Sequence, residues 1–75
     1  MKILSSSPRK VRVSQAEVQL FRQGWPCNNL RDRSYWFEFD ADGNLIDTDV
    51  PEHDDGEAAS ALADNAKAFL QGSQP

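Results

Sequence analysis

The segment from Ser34 to Val50 constrains the fold more than any other part of the chain. Its first half, Ser34 to Asp40, is dense in aromatic residues, which favour β-strands, and a second run of strand-forming residues follows from Leu45. Asp42-Gly43 lies between the two runs, and Asp-Gly in that position is a strong hairpin signal. The sequence therefore predicts two antiparallel strands joined by a tight turn.

The register of this hairpin decides which side chains reach the core. A two-residue turn at Asp42-Gly43 places the following residues on one face, in the pairs Tyr35 with Val50, Phe37 with Thr48, and Phe39 with Ile46. The other face then carries Trp36, Glu38, Asp40, Leu45, Asp47 and Asp49, with Glu38 directly opposite Asp47. A three-residue loop with a bulge at Gly43 would shift the pairing by one and scatter acids over both faces. Because such a slip moves every side chain to the opposite face, the pattern favours the two-residue turn.

Two amphipathic helices flank the hairpin. Ser14 followed by Glu17 forms a capping box, and Gly24 with Pro26 provides a stop, so the first helix is predicted at 15–23. An apolar stripe at helical spacing predicts the second helix over residues 57–71. The polar–apolar alternation of residues 10–13 indicates an extended segment before the first helix.

These elements predict an α+β domain in which both helices pack on one face of a two- or three-stranded antiparallel sheet. Two strands alone are only marginally stable, so the helices are needed to cover the aromatic face. The predicted domain covers residues 9–71, after a flexible N-terminal tail at 1–8 and before a frayed end at 72–75. A chain of 75 residues has room for one domain with a small core.

The cysteine content and the hydropathy pattern suggest a location. Cys27 is the single cysteine, whereas small secreted domains are usually stabilised by several disulfides. The chain has no signal-peptide pattern and no apolar run of the roughly 20 residues that a membrane span needs. We therefore expect a soluble cytoplasmic protein, with a monomer favoured.

The net charge of −4 conceals a strong asymmetry along the chain. Residues 1–33 sum to +5 (7 bases − 2 acids), and residues 34–75 sum to −9 (1 base − 10 acids). A dense field of one sign steers partners of the opposite sign, and an aromatic residue rimmed by charge is common at protein interfaces. The candidate partner-binding residues are Trp36, Glu38, Asp40, Asp47, Asp49, Asp54 and Asp55. The alternatives are two halves that neutralise one another across the folded core, a solvated acidic face, and a Trp36 that is covered by residues 10–13, the first helix or Leu45.

Other chemistries find little support in the sequence. Asp40 to Asn44 brings oxygen ligands to one turn, but its glycine comes fourth and strands flank it, unlike an EF-hand. Cys27 and His53 are a conceivable nucleophile and base, although each is the single residue of its type. A structural zinc site needs four Cys or His ligands, and the chain has one of each. It has no glycine-rich phosphate loop, and its acidic composition argues against direct nucleic-acid binding. We expect no enzyme activity, no cofactor and no metal.

Trp25-Pro26-Cys27, followed some eight residues later by YWFEFDADGNLIDTDV, resembles short reading frames of unknown function in bacterial and phage genomes. The resemblance covers Val13 to Leu70. It implies no activity, cofactor or site, and it favours an accessory protein of a phage or mobile element.

The sequence thus predicts a small acidic, non-enzymatic module that binds a protein with a basic surface. Two alternatives stay open: an inhibitor of phage or mobile-element origin that mimics nucleic acid, as some anti-CRISPR proteins do, and a Cys27/His53 enzyme. We expect no membrane association.

Overall fold

The computed structural model describes residues 1–5, 8–26 and 28–72. Its elements are β1 (Lys2–Ile3), β2 (Lys10–Val13), α1 (Gln15–Gln23), β3 (Tyr35–Phe39), β4 (Leu45–Thr48), a 3-10 helix (Glu52–Asp54) and α2 (Glu57–Gly72). The strands form one antiparallel sheet in the order β1-β2-β3-β4. This is the predicted α+β class, with four strands where two or three were expected.

Helix α1 begins with the predicted capping box. The Ser14 hydroxyl accepts the Glu17 backbone N–H at 3.3 Å, and the Glu17 carboxylate accepts the Ser14 backbone N–H at 3.2 Å. The helix ends at Gln23, and Gly24 provides its C-cap. Val18 is fully buried and Phe21 packs against the core, so α1 is attached to the core by its apolar face.

The core lies between one face of the sheet and the two helices. Side chains of β2 and β3 alternate between buried and more exposed positions, as expected of strands with one covered face. The buried cluster consists of Val11, Val13, Val18, Leu30, Tyr35, Phe37, Phe39, Ala58, Ala59, Leu62, Ala63, Ala66 and Leu70. Full burial of a large apolar side chain stabilises by about 1.5–3 kcal/mol, so this cluster is the main source of stability.

The turn of the β3–β4 hairpin differs from the prediction. Its loop has three residues, 41–43, because the Asp40 N–H donates to the Asn44 carbonyl at 2.9 Å and the Gly43 N–H donates to the Asp40 carbonyl at 3.1 Å. Gly43 has φ +86°, a left-handed conformation that glycine adopts without strain. The prediction of a two-residue turn is therefore wrong.

A bulge in β4 compensates for the longer turn. Phe39 pairs with Leu45, whereas Glu38 pairs with Asp47, so Ile46 is the extra residue on β4. Beyond the bulge, Glu38 faces Asp47 and Phe37 faces Thr48, as predicted. The aromatic side chains of β3 consequently remain in the core, although the turn has a different length.

The longer turn and the bulge change the positions of two aliphatic side chains. Ile46 was expected in the core but is 59% exposed. Leu45 was expected on the outer face but pairs with the buried Phe39 and is 46% exposed. Val50 lies beyond β4 and still packs against the core.

Two residues of the predicted tail at 1–8 form a strand. Lys2–Ile3 pairs with β2, with Lys2 opposite Arg12 and Ile3 opposite Val11. Ile3 packs against the core, so β1 extends the apolar face of the sheet. Residues 6 and 7 lie outside the described residues, as do residues 73–75 of the predicted frayed end.

Candidate partner-binding surface

The outer face of the sheet carries both signs of charge. In the pairing of β2 with β3, Lys10 lies opposite Glu38 and Arg12 lies opposite Trp36. Glu38 in turn lies opposite Asp47 of β4. Because β2 contributes bases and β4 contributes an acid, the face changes from basic at β1 and β2 to acidic at β4.

Trp36 is partly buried on this face. The Lys10 ammonium lies 3.8 Å from the centroid of its ring, a cation–π contact worth about 0.5–1 kcal/mol at an exposed site. Trp36 is therefore partly covered by β2, as one of the alternatives expected, and it is not a freely exposed interface residue.

Two of the candidate acids stabilise the hairpin through internal hydrogen bonds. Asp49 accepts the Trp36 backbone N–H at 2.8 Å and pairs with the Arg33 guanidinium at 2.7 Å. Asp40 accepts the backbone N–H groups of Asp42 and Asn44, both at 2.9 Å. The bond from the Asn44 N–H contributes most to holding the pKa of Asp40 below its ordinary value. Both carboxylates therefore have structural partners already.

Asp54 is not on the surface at all, being 1% exposed. Its carboxylate accepts the Tyr35 hydroxyl at 2.8 Å and the Arg31 guanidinium at 2.9 Å. The Tyr35 oxygen also accepts the Arg31 backbone N–H at 2.9 Å, and the His53 Nε2 lies 3.3 Å from the carboxylate. Asp54 therefore cannot contact a partner, which corrects its assignment to the acidic surface.

The pKa values of this cluster follow from burial and hydrogen bonding. Burial raises the pKa of Asp54, but hydrogen bonds from Arg31 and Tyr35 favour the carboxylate more strongly, so the net pKa is lowered. Burial raises the pKa of Tyr35, whose hydroxyl donates to that carboxylate. The cluster attaches the 3-10 helix and the loop at Arg31 to the start of β3.

Asp47 and Asp55 are the candidate acids that remain exposed. The Asp47 carboxylate accepts the Thr48 backbone N–H at 2.9 Å, on the strand at the end of the sheet. Asp55 follows the 3-10 helix and accepts the N–H of Gly56 at 2.9 Å. Both lie on the β4 side of the molecule, so the acidic surface is narrower than the sequence suggests.

Two exposed aliphatic side chains lie on that side, and the sequence did not predict the exposure of Ile46. The side chains of Leu45 and Ile46 on β4 are both exposed to solvent. Leu45 also lines a cleft of about 70 Å³ between β4 and α2, together with Phe37, Val50 and Ala59. The exposure of Ile46 follows from the bulge. The one sequence feature that pointed toward it was the alternative of a three-residue loop at Gly43.

The structure gives no support to a Cys27/His53 enzyme or to a metal site. His53 is largely exposed beside Asp54, and Cys27 lies outside the described residues, so their separation is not defined. Among residues 1–5, 8–26 and 28–72, no three His, Cys, Asp or Glu side chains are grouped to hold a metal ion. Neither helix in this part of the chain has the length and apolar character needed to cross a membrane.

No family model matches this chain, and comparisons with curated proteins and with solved structures likewise found no match. The functional proposals below therefore depend on the geometry and charge of the chain itself.

Proposed function

We propose that this chain is a small non-enzymatic protein-binding module whose partner presents a basic surface. The observation that carries the proposal is the exposure of Leu45 and Ile46 on β4, beside the exposed acids Asp47 and Asp55. Apolar contacts with charged residues at their rim are the usual anatomy of a protein interface. The acids attract a basic partner over a distance, and the aliphatic side chains supply contact area.

The alternative of a nucleic-acid mimic fits the charge layout less well. A mimic needs a continuous array of negative charge, whereas Lys10 and Arg12 lie on the outer face of the same sheet. Asp54, Asp49 and Asp40 are also engaged internally. A surface confined to β4 and the start of α2 suits a basic protein segment better than an enzyme's extended nucleic-acid groove.

The proposal is tested by selecting displayed random peptides on the immobilised full chain and eluting them with salt. We expect enriched peptides to be rich in Lys and Arg, because the surface is acidic, and to dissociate as ionic strength rises. A variant with Leu45→Ser and Ile46→Ser should lose most of the binding. Leu20→Ser is the matched control, since Leu20 is 70% exposed on α1 and lies outside the proposed surface.

Three outcomes would contradict the proposal. These are no enrichment over the empty support, enrichment of peptides without basic residues, and equal binding to the Leu45/Ile46 variant and to wild type. If DNA or RNA displaced the chain from the selected peptides, the nucleic-acid mimic would be favoured instead.

A further inference from the structure

The cleft between β4 and α2 combines an apolar lining with one exposed carboxylate, that of Asp55. Phe37, Val50 and Ala59 provide apolar walls, and its polar lining residues are Thr48, Asp55 and Ser60. Its volume of about 70 Å³ is roughly half that of an engineered cavity that admits benzene. The space suits a short aliphatic chain rather than a ring.

From these features we propose that the cleft receives one long basic side chain of the partner. Its methylene stem would lie against the apolar walls, and its cationic head would lie at the Asp55 carboxylate. Lysine and arginine bury their stems on apolar surfaces in this way while their charged ends remain in water. The inference depends on the proposed function, since it specifies what the basic partner inserts.

The edge of β4 argues for an inserted side chain rather than an added strand. The Thr48 backbone N–H already donates to the Asp47 carboxylate, and Ile46 lies in a bulge. A bulge is a common protection of a sheet edge against further strand pairing, and the bond to Asp47 occupies one backbone N–H of β4. The strand also has just four residues, which leaves little ladder for a partner strand to join.

Charge complementarity identifies the head group. Asp55 is exposed, and its carboxylate accepts the uncharged N–H of Gly56. A guanidinium can form two parallel hydrogen bonds with a carboxylate, which makes arginine the best-matched occupant. Ala59 and Ala63 are small, so the α2 wall leaves room for the stem.

The test varies the stem while the charge stays constant. Acetyl-Lys-Gly-X-Gly-Lys-amide peptides carry homoarginine, arginine or norarginine at X, which differ by one methylene each and keep a permanently charged guanidinium. Each is titrated into the ¹⁵N-labelled full chain and followed by amide chemical shifts. We expect the affinity to fall about two- to fourfold per methylene removed, since each buried methylene contributes to binding. Citrulline at X, a neutral analogue of arginine, should bind more weakly than arginine.

Variants locate the binding site. Ser60→Leu fills the cleft without changing charge and should abolish the dependence on stem length, whereas Asn65→Leu, on an exposed position of α2 outside the cleft, should not. Asp55→Asn should remove the difference between arginine and citrulline. Asp42→Asn makes the same charge change in the exposed hairpin turn and should leave that difference in place.

Each remaining outcome overturns the inference. Equal affinities for the three stem lengths, with shifts centred on the outer sheet face, would reject the cleft while the proposed function stands. Shifts at the cleft that depend on protein concentration without peptide would identify a second copy as the occupant. Absence of any salt-sensitive binding would reject the cleft and the proposed function together.

Discussion

Replacing Tyr35 by Phe tests the buried cluster at the start of β3. The substitution keeps the ring in the core and removes one hydroxyl, so it opens no large cavity. It leaves the Asp54 carboxylate and the Arg31 backbone N–H each without the partner they have in the wild type. Leaving a buried polar group unpaired costs about 1–3 kcal/mol, so we expect a loss of about 2 kcal/mol in the free energy of unfolding.

This loss would be large for so small a protein. At about 0.05–0.15 kcal/mol per residue, the whole chain is stable by only about 4–11 kcal/mol. For a domain of this size, 1 kcal/mol shifts the Tm by about 4–8 °C, so Tyr35→Phe should lower it by about 8–16 °C. Thermal unfolding followed by circular dichroism and urea unfolding followed by tryptophan fluorescence would measure both quantities.

A double-mutant cycle separates this network from a general effect on packing. Tyr35→Phe and Asp54→Asn should each destabilise, and the double variant should lose less than the sum because the two groups share a hydrogen bond. A change within about 0.5 kcal/mol of wild type for Tyr35→Phe would refute the reasoning, since it would resemble a surface substitution.

The remaining predictions concern pH, the helix cap, the turn and the covered tryptophan. The pKa of Asp54 is lowered in the folded state. Its contribution to the free energy of unfolding is therefore complete above the ordinary value of 3.8 and is lost as the pH falls through the folded pKa. In acid-unfolding curves, the stability difference between wild type and Asp54→Asn should narrow below about pH 4. Ser14→Ala removes the cap of α1 and should lower the free energy of unfolding by about 1 kcal/mol in urea. Gly43→Ala forces a side chain to adopt φ +86° and should cost about 1–2 kcal/mol by the same measurement. Lys10→Gln removes the cation from the Trp36 ring and should increase quenching of tryptophan fluorescence by acrylamide.

Two of these predictions have a control variant within the chain, and the other two have an outcome that would contradict them. Gly24→Ala is the control for the turn, because Gly24 has φ −84° and a Cβ there would lie 3.6 Å from its nearest neighbour. Lys2→Gln removes a base from the same face and should leave the quenching unchanged. A constant difference between wild type and Asp54→Asn through the acid range would contradict the predicted role of its ionisation. A fully stable Ser14→Ala variant would contradict the role of the cap.

Local signals in the sequence predicted the helices well. Ser14, Glu17 and Gly24 determine the bounds of α1 through hydrogen bonds that extend over a few residues. The aromatic alternation of β3 likewise predicted its buried face, because one covered face is all that such a pattern requires.

Features that depend on distant parts of the chain were harder to predict. The bulge at Ile46 restores the register after a turn of unexpected length, and no local pattern in residues 45–48 specifies it. The burial of Asp54 depends on the Tyr35 hydroxyl and Arg31, which are 19 and 23 residues away. A buried tyrosine needs a hydrogen-bond partner, so Tyr35 was the one signal that could have indicated a buried acceptor.

The pairing of β2 with β3 had the largest effect on the candidate site. It places Lys10 beside Trp36, so the acidic surface of the sequence becomes a mixed face with its acids toward β4. Charge counted along the chain cannot reveal this arrangement, because strands that are adjacent in the sheet are separated by α1 in the sequence.

The most direct test of protein binding by the β4 side is the affinity of a selected basic peptide measured at two ionic strengths. Between about 10 mM and about 150 mM salt the Debye length falls from about 30 to about 8 Å, so attraction between exposed charges weakens strongly. We predict at least a tenfold loss of affinity for wild type, and little remaining affinity at either salt concentration for the variant with Leu45→Ser and Ile46→Ser. Unchanged affinity across the two salt concentrations, together with full binding by that variant, would contradict the proposed function.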